Sequence, residues 1–418
     1  MANEIIPRAN NNPPKVMGKG SYGCIFRPGI SCNVDEKLTD KYITKVQISR
    51  NTTLENETNI GNKIKQIKNY KEYYAPILSS CEVSLSRVSE KEITKCGMLE
   101  KGDSYSASKL RYVGKNTLMK HLLTKYMERA MRIVDDVVET HNELLEGYSK
   151  LNDAGIIHYD VKENNIMCKD KRGTPIIIDF GLSIDILEVA KNSYRDAFYV
   201  YGPDYGPWCL EIAMISYGAN ELVDESISNK GYVGFGNKEN PLGLEQEVTK
   251  EQIGKVIGEF VKTNYSLLEL ISQDVREKYR EKMIEHYSKY IGKRWKEMIE
   301  ELQTYYKTWD NYGLSIMYLH IIDQLKIGSA PNLSVYKAYL EEIVLSLPSD
   351  RADCKKTKEY MKEIFGKVKR SDKKKQGKYM RIVSINGNIR DKVHKEVWHS
   401  IKNELQRDKK LYEKRIQQ

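Results

Sequence analysis

Residues 155–170 read GIIHYDVKENNIMCKD. The apolar pair Ile156 and Ile157 leads into a polar loop carrying Asp160, Lys162 and Asn165, and an apolar run resumes at Ile166. Upstream, Leu144, Leu145, Tyr148 and Leu151 recur at helical spacing, which predicts a helix ending near Gly155. Downstream, residues 166–168 and 175–178 are short apolar runs around the turn KDKRGT, and they predict a hairpin. The second run delivers IDFGLS, with Asp179 at its end. A carboxylate beside a buried isoleucine run is costly without a cation. Taken singly, Asp160, Asn164 and Asn165 read more often as turn formers, and His158 as a residue packed beneath the loop.

Nearer the N-terminus, VMGKGSYGCIF (16–26) spaces Gly18, Gly20 and Gly23 as G-x-G-x-x-G. A dinucleotide-binding loop would continue into a helix. Here Ile25 and Phe26 run into Arg27-Pro28-Gly29, which predicts a β-hairpin able to close over phosphates. The stretch 41–48, KYITKVQI, predicts a strand holding Lys45. A helix is expected over 53–67, because Leu54, Glu57, Ile60, Ile64 and Ile67 share one face. Glu57 lies on that apolar stripe and Glu55 does not, so Glu57 needs a cation, and Lys45 is the candidate. YAPILSSCEVSL, EITKCGMLEK and KLRYVG predict further strands, and Asn116 can cap the helix that begins LMKHLL.

The glycine loop, Lys45, Glu57, His158-Tyr159-Asp160 with Asn165, and Asp179-Phe180-Gly181 follow one another in an order that resembles the eukaryotic-type protein kinases. PWCLE (207–211) is similar to that family's Ala-Pro-Glu box. Asp310 in TWDNYGLSIMYL resembles the Asp of its central helix, and Arg351 in PSDR its late arginine, which would pair with Glu211. The resemblance covers residues 16–211 and 308–366. Composition and the PWCLE box look most like serine/threonine kinases of large cytoplasmic DNA viruses. The resemblance implies an α+β, bilobal protein-kinase-like fold, with a small β-rich N-lobe and a larger, mainly helical C-lobe. It implies ATP and Mg2+ as cofactors and protein substrates phosphorylated on Ser or Thr. Asp160 would be the catalytic base and Lys162 would steady the γ-phosphate. Gly18, Lys19, Gly20, Ser21, Tyr22, Gly23 and Ile25 would cover ATP, and Lys45, aligned by Glu57, would bind its phosphates. Arg111 and Val113 would belong to the adenine hinge. Asn165 and Asp179 would hold the metal.

The chain departs from the family in places. Tyr159 replaces the Arg of His-Arg-Asp and cannot pair with a phosphorylated activation segment. Packing of Phe198, Tyr199, Tyr201 and Trp208 is expected to order that segment instead. Ile43 replaces the small residue that roofs the adenine. The segment YVYGPDYGPWCLE (199–211) lacks the usual Thr or Ser. Between Glu211 and Asp310 lie 98 residues, a helical insertion at about 215–305, read as a docking surface rather than a lid.

The remaining organisation is an N-terminal arm (1–15), an N-lobe (16–114), a C-lobe (115–366) and a basic tail (367–418). The tail holds 17 Lys or Arg against 6 Asp or Glu, a net of +11, while the whole chain carries +10. It is a candidate contact for nucleic acid or an acidic partner, and equally a helix packed back on the C-lobe with a solvated basic face. No long apolar run predicts a membrane span. Seven scattered cysteines without a C-x-x-C pair predict a reduced, cytoplasmic protein, in host cytoplasm or virion if viral. Other functions stay open: a pseudokinase scaffold using the insertion and tail, or a small-molecule phosphotransferase. The intact Lys45, Asp160, Asn165 and Asp179 oppose the former, and the three-glycine loop with the Glu211/Arg351 pair opposes the latter.

Overall fold

The computed structural model describes residues 13–20, 23–31, 40–48, 53–85, 88–97, 99, 104–169, 172–189, 194–222 and 243–371. Ser21, Tyr22 and the basic tail beyond Ser371 lie outside them. The chain divides into two compact units, Met1–Asn116 with Ile166–Ser183, and Thr117–Asn165 with Ile184–Gln418.

The first unit is built on β1 (Lys15–Gly20), β2 (Gly23–Arg27), β3 (Tyr42–Ile48), β4 (Ile77–Ser84) and β5 (Ser104–Arg111), with helix α1 (Thr53–Ile64) between β3 and β4 and helix α2 (Glu90–Cys96) between β4 and β5. The strands form one antiparallel sheet in the order β1-β2-β3-β5-β4. The first strand starts at Lys15, so that residue belongs to the sheet and not to the arm. Strand alternation gives the sheet two faces. On one, Cys24, Phe26, Val46 and Ala107 join Val83, Ile93 and Cys96 in a buried cluster. On the other lies Lys45, with Ile25 and Ser108 as its direct cross-strand partners.

Two expectations are corrected here. EITKCGMLEK is not a strand but holds helix α2. Ser89 stands at the N-cap, Glu90 and Glu92 fall in the first turn, Lys95 in the last, and Gly97 ends the helix with φ 72°. Ile93 and Cys96 share its buried face at a spacing of three residues. The cysteines are not all reduced either. Cys24 of β2 and Cys96 of α2 form a disulfide across 72 residues, and Cys81 is also disulfide-bonded. Sequence spacing hides this pairing, because sheet and helix packing alone bring Cys24 and Cys96 together. Cys168, Cys209 and Cys354 are free and buried.

After the short β6 (Asn116–Thr117), the second unit opens with α3 (Leu118–Arg129) and α4 (Ile133–Asp153). Thr117, and not Asn116, holds the N-cap position of α3. Then come β7 (Ile156–Ile157), β8 (Ile166–Cys168), β9 (Pro175–Ile177), β10 (Ile184–Asp185), α5 (Ile186–Val189), α6 (Tyr194–Ala197) and α7 (Leu210–Asn220). Strands β8 and β9 make the expected hairpin and belong to the first unit, whereas β7 pairs with β10 in the second.

The insertion supplies α8 (Lys250–Thr263), α9 (Tyr265–Leu270), α10 (Gln273–Tyr287) and α11 (Trp295–Gln303), followed by α12 (Trp309–Gln324), α13 (Pro331–Leu345) and α14 (Cys354–Ser371). Helix α8 starts with a reciprocal capping box: Gln252 N–H donates to Thr249 Oγ1 and Thr249 N–H to Gln252 Oε1. Helix α12 is buried on all sides from Trp309 to Leu319, which makes it the axis of the unit. Among the described residues no helix is long and apolar enough to cross a membrane.

Candidate active site

In the first unit the sheet and α1 converge on Lys45. Its ammonium lies 3.1 Å from Asp179 Oδ1 and 3.4 Å from Glu57 Oε2. Glu57 is 2% exposed, as its place on the apolar stripe requires. Burial pulls the Lys45 pKa down, but the carboxylates of Asp179 and Glu57 outweigh it and hold the ammonium above its ordinary range. Burial pushes Glu57 up, and the Lys45 charge opposes it. The β9 strand fixes Asp179 from behind: Ala75 N–H donates to Ile177 O, and Ile177 N–H to Tyr73 O. Asp179 itself takes a left-handed backbone, φ 61°, and keeps its side chain 39% exposed.

The glycine hairpin is the β1–β2 pair, with Gly18 opposite Ile25 and Gly20 opposite Gly23. At Gly23 a Cβ would lie 1.9 Å from the Val46 carbonyl oxygen, so only glycine allows this strand to lie against β3. Lys19 is exposed. The Arg111 guanidinium donates to the carbonyls of Lys71 and Tyr74 and ties β5 to the turn after α1. Val113 is buried against Ala75 and Ile176.

In the second unit the loop 158–165 surrounds Asp160. The backbone N–H groups of His158 and Tyr159 donate to Asp310 of α12 at 3.0 and 3.1 Å, and Asn152 donates at 2.9 Å. Burial raises the Asp310 pKa, and these donors with His158 oppose it. His158 accepts from Asp160 N–H and packs edge-on to Tyr148, which is a structural role. Asn165 Nδ2 donates to Asp160 Oδ2 at 2.7 Å and to Asp160 O at 2.9 Å. Lys162 Nζ lies 3.1 Å from the same Oδ2.

Tyr159 is 5% exposed and packs between Phe198 and Trp208, with centroids 6.0 and 4.6 Å away. Trp208 also donates its indole N–H to Tyr159 O at 2.8 Å. The Glu211 and Arg351 side chains, 1% and 0% exposed, form a bidentate pair.

The structure therefore groups the expected residues in two sets, Lys45, Glu57 and Asp179 in one unit, and Asp160, Lys162 and Asn165 in the other. One contact was missed by sequence reasoning: the phenol of Tyr205 donates to Asp160 Oδ1. The segment 199–211 lacks Thr and Ser, and the hydroxyl that reaches Asp160 from it is the phenol of Tyr205. Helices α8 and α9 of the insertion pack on the segment 201–206: Tyr201 donates to Glu259 at 2.7 Å and Tyr265 N–H to Asp204 O.

The family model of the protein kinase domain matches residues 12–205. Among solved structures, a Stt7 homolog from Micromonas algae, crystallised and soaked with ATP, aligns at 17% identity and a TM-score of 0.30. That alignment covers 43% of this chain and 53% of the other, about half its length. No curated protein matches. The narrower resemblance to viral kinases finds no counterpart in these matches. With a five-stranded sheet carrying Lys45, helix α1 carrying Glu57, and a mainly helical unit carrying Asp160, the fold is the bilobal protein-kinase fold.

Proposed function

We propose that the protein is an active protein kinase that transfers the γ-phosphate of ATP to Ser or Thr hydroxyls. The observation that carries this reading is the setting of Asp160: a carboxylate fixed by Asn165 and Lys162 on one oxygen, in a loop anchored to Asp310. A scaffold without chemistry has no need of a carboxylate held this way.

In the proposed reaction, Asp160 accepts the proton of the acceptor hydroxyl while its oxygen attacks the γ-phosphorus. The new O–P bond forms as the bond to the β-phosphate bridging oxygen breaks, and ADP leaves. Protein work in such a transfer is positioning and charge neutralisation. Lys45, kept cationic by its two carboxylates, binds the non-transferred phosphates, and Lys162 steadies the moving group. The β1–β2 hairpin, with Gly18, Gly20 and Gly23, covers the phosphates.

Asp179 and Asn165 are the proposed magnesium ligands. Both offer hard oxygen donors: Asp179 an exposed carboxylate, and Asn165 its amide oxygen, since its nitrogen is committed to Asp160. Bound magnesium would neutralise phosphate charge.

The test is incubation of the purified protein with γ-labelled ATP and dephosphorylated casein, with and without magnesium, followed by phosphoamino-acid analysis. Magnesium-dependent phosphoserine or phosphothreonine is expected. Phosphotyrosine alone would overturn the Ser/Thr assignment, and no protein labelling would overturn the kinase reading.

A further inference from the structure

We propose that the inserted helical segment is part of the catalytic apparatus: Asn264, at the α8–α9 junction, acts through Tyr205 to hold the Asp160 carboxylate in its working orientation. This rests on the phosphotransfer reading above and names residues that reading does not use.

Asp160 is held from both oxygens. Asn165 and Lys162 approach Oδ2, and Tyr205 alone among these donates to Oδ1. Removing the phenol would leave the carboxylate held from one side. Tyr205 is in turn fixed in its own place. It is 4% exposed, its ring lies edge-on to Trp208 and Tyr265 at 5.0 and 6.5 Å, and its N–H donates to Gly202 O. Its carbonyl accepts from Asn264 Nδ2 at 3.1 Å.

Asn264 is fully buried and has two jobs. Its Nδ2 bridges the carbonyls of Tyr205 and Pro203, while its Oδ1 accepts the Leu267 N–H and caps α9. The neighbouring contacts point the same way. Tyr265 N–H donates to Asp204 O, and Tyr201 donates to Glu259 of α8. At Gly206 a Cβ would meet Ser266 Oγ at 2.0 Å, so the glycine leaves the room that the Ser266 and Tyr265 side chains of α9 occupy against this segment. The insertion thus grips the chain on both sides of Tyr205. A tyrosine held by its backbone, its ring and its hydroxyl is a fixed part of the site and not a removable plug over Asp160.

Positioning predicts a kinetic signature. Tyr205→Phe keeps the ring and removes the donor to Asp160. Asn264→Ser keeps an oxygen able to cap α9 and removes the bridge to Tyr205 O. Both variants, checked for folding by circular dichroism and melting, are assayed for phosphate transfer to casein from ATP and magnesium, beside wild type and Asp160→Asn. We expect kcat to fall roughly ten- to a hundredfold in each, with KM for ATP unchanged. The double variant should be no slower than Tyr205→Phe, since the residues act in series. If Asn264→Ser does not fold, Tyr201→Phe replaces it, with the same direction of change.

An active wild type with wild-type kcat in folded Asn264→Ser, or additive losses in the double variant, would overturn this inference and leave the kinase reading standing. A rise in kcat for Tyr205→Phe would show a plug instead and also overturn it. A wild type without phosphate transfer would remove the kinase reading and the inference with it.

Discussion

Tyr159 stands where the family resemblance expects an arginine. It occupies a left-handed backbone position, φ 69°, and its ring lies between Phe198 and Trp208. An arginine there would be an unpaired charge among aromatic rings, so under the proposed kinase reading this part of the chain is expected to be held by packing and not by a phosphate–guanidinium pair. Two outcomes follow. Phosphatase treatment that clears residues 183–205, verified by mass spectrometry, should leave most phosphotransfer activity, and loss that is restored on rephosphorylation would contradict this. Tyr159→Ala should destabilise by about 3–5 kcal/mol in urea unfolding, the range for truncating a buried aromatic ring. His141 gives a pH dependence at the same scale. It is fully buried, stacked on Tyr318 at 3.7 Å with Tyr336 O–H at Nδ1, and burial pushes it down to about 3. Between its unfolded value near ~6.5 and about 3, the unfolded chain binds the extra proton, so this stability is present above that window and is lost as pH falls through it. Wild type should lose about 2 kcal/mol more than His141→Gln between about pH 7 and about pH 5, measured by urea unfolding.

At the scale of elements, legibility followed periodicity. The glycine hairpin, the strand holding Lys45 and the helix presenting Glu57 were readable because alternation and three- or four-residue spacing put those side chains on definite faces. The helix stops at Ile64, short of the predicted Ile67, as helix ends usually blur. Helix α2 was misread because a seven-residue element shows only two buried positions, Ile93 and Cys96, too few to distinguish helix from strand. Its caps were the better signal. Tyr205 and Asn264 were not legible, because a contact 45 residues from Asp160 in one case, and through an insertion in the other, leaves no local pattern. Helix α2 also grips the glycine hairpin: Val16 N–H donates to Glu92 at 2.6 Å and Val16 O accepts from Lys95 at 2.8 Å. The Cys24–Cys96 disulfide closes a 72-residue separation over the same contact. Cys24→Ser with Cys96→Ser should therefore cost up to about 4 kcal/mol on the chain-entropy account, read as a lower melting temperature than that of the oxidised wild type. Equal melting would show that the bond adds nothing to the helix contact.

For the molecule as a whole, the second unit is assembled around α12, with Asp310 fixing the loop of Asp160 and the Glu211–Arg351 pair joining the end of the activation segment to the chain before α14. That pair is fully buried, so removing either partner leaves a charge without its counterion. Arg351→Met alone should cost about 3–5 kcal/mol, and Glu211→Leu with Arg351→Met clearly less, measured by denaturant unfolding. The insertion belongs to this assembly, since α8 and α9 hold the segment that reaches Asp160. All of these arrangements converge on one carboxylate. The most direct measurement is the turnover of Asp160→Asn with ATP, magnesium and a protein acceptor, taken together with its melting temperature. The variant should melt close to wild type, because an amide can keep the Tyr205 contact at Oδ1, while kcat falls on the order of a hundredfold or more for want of a base. A folded Asp160→Asn protein turning over near the wild-type rate would contradict the account.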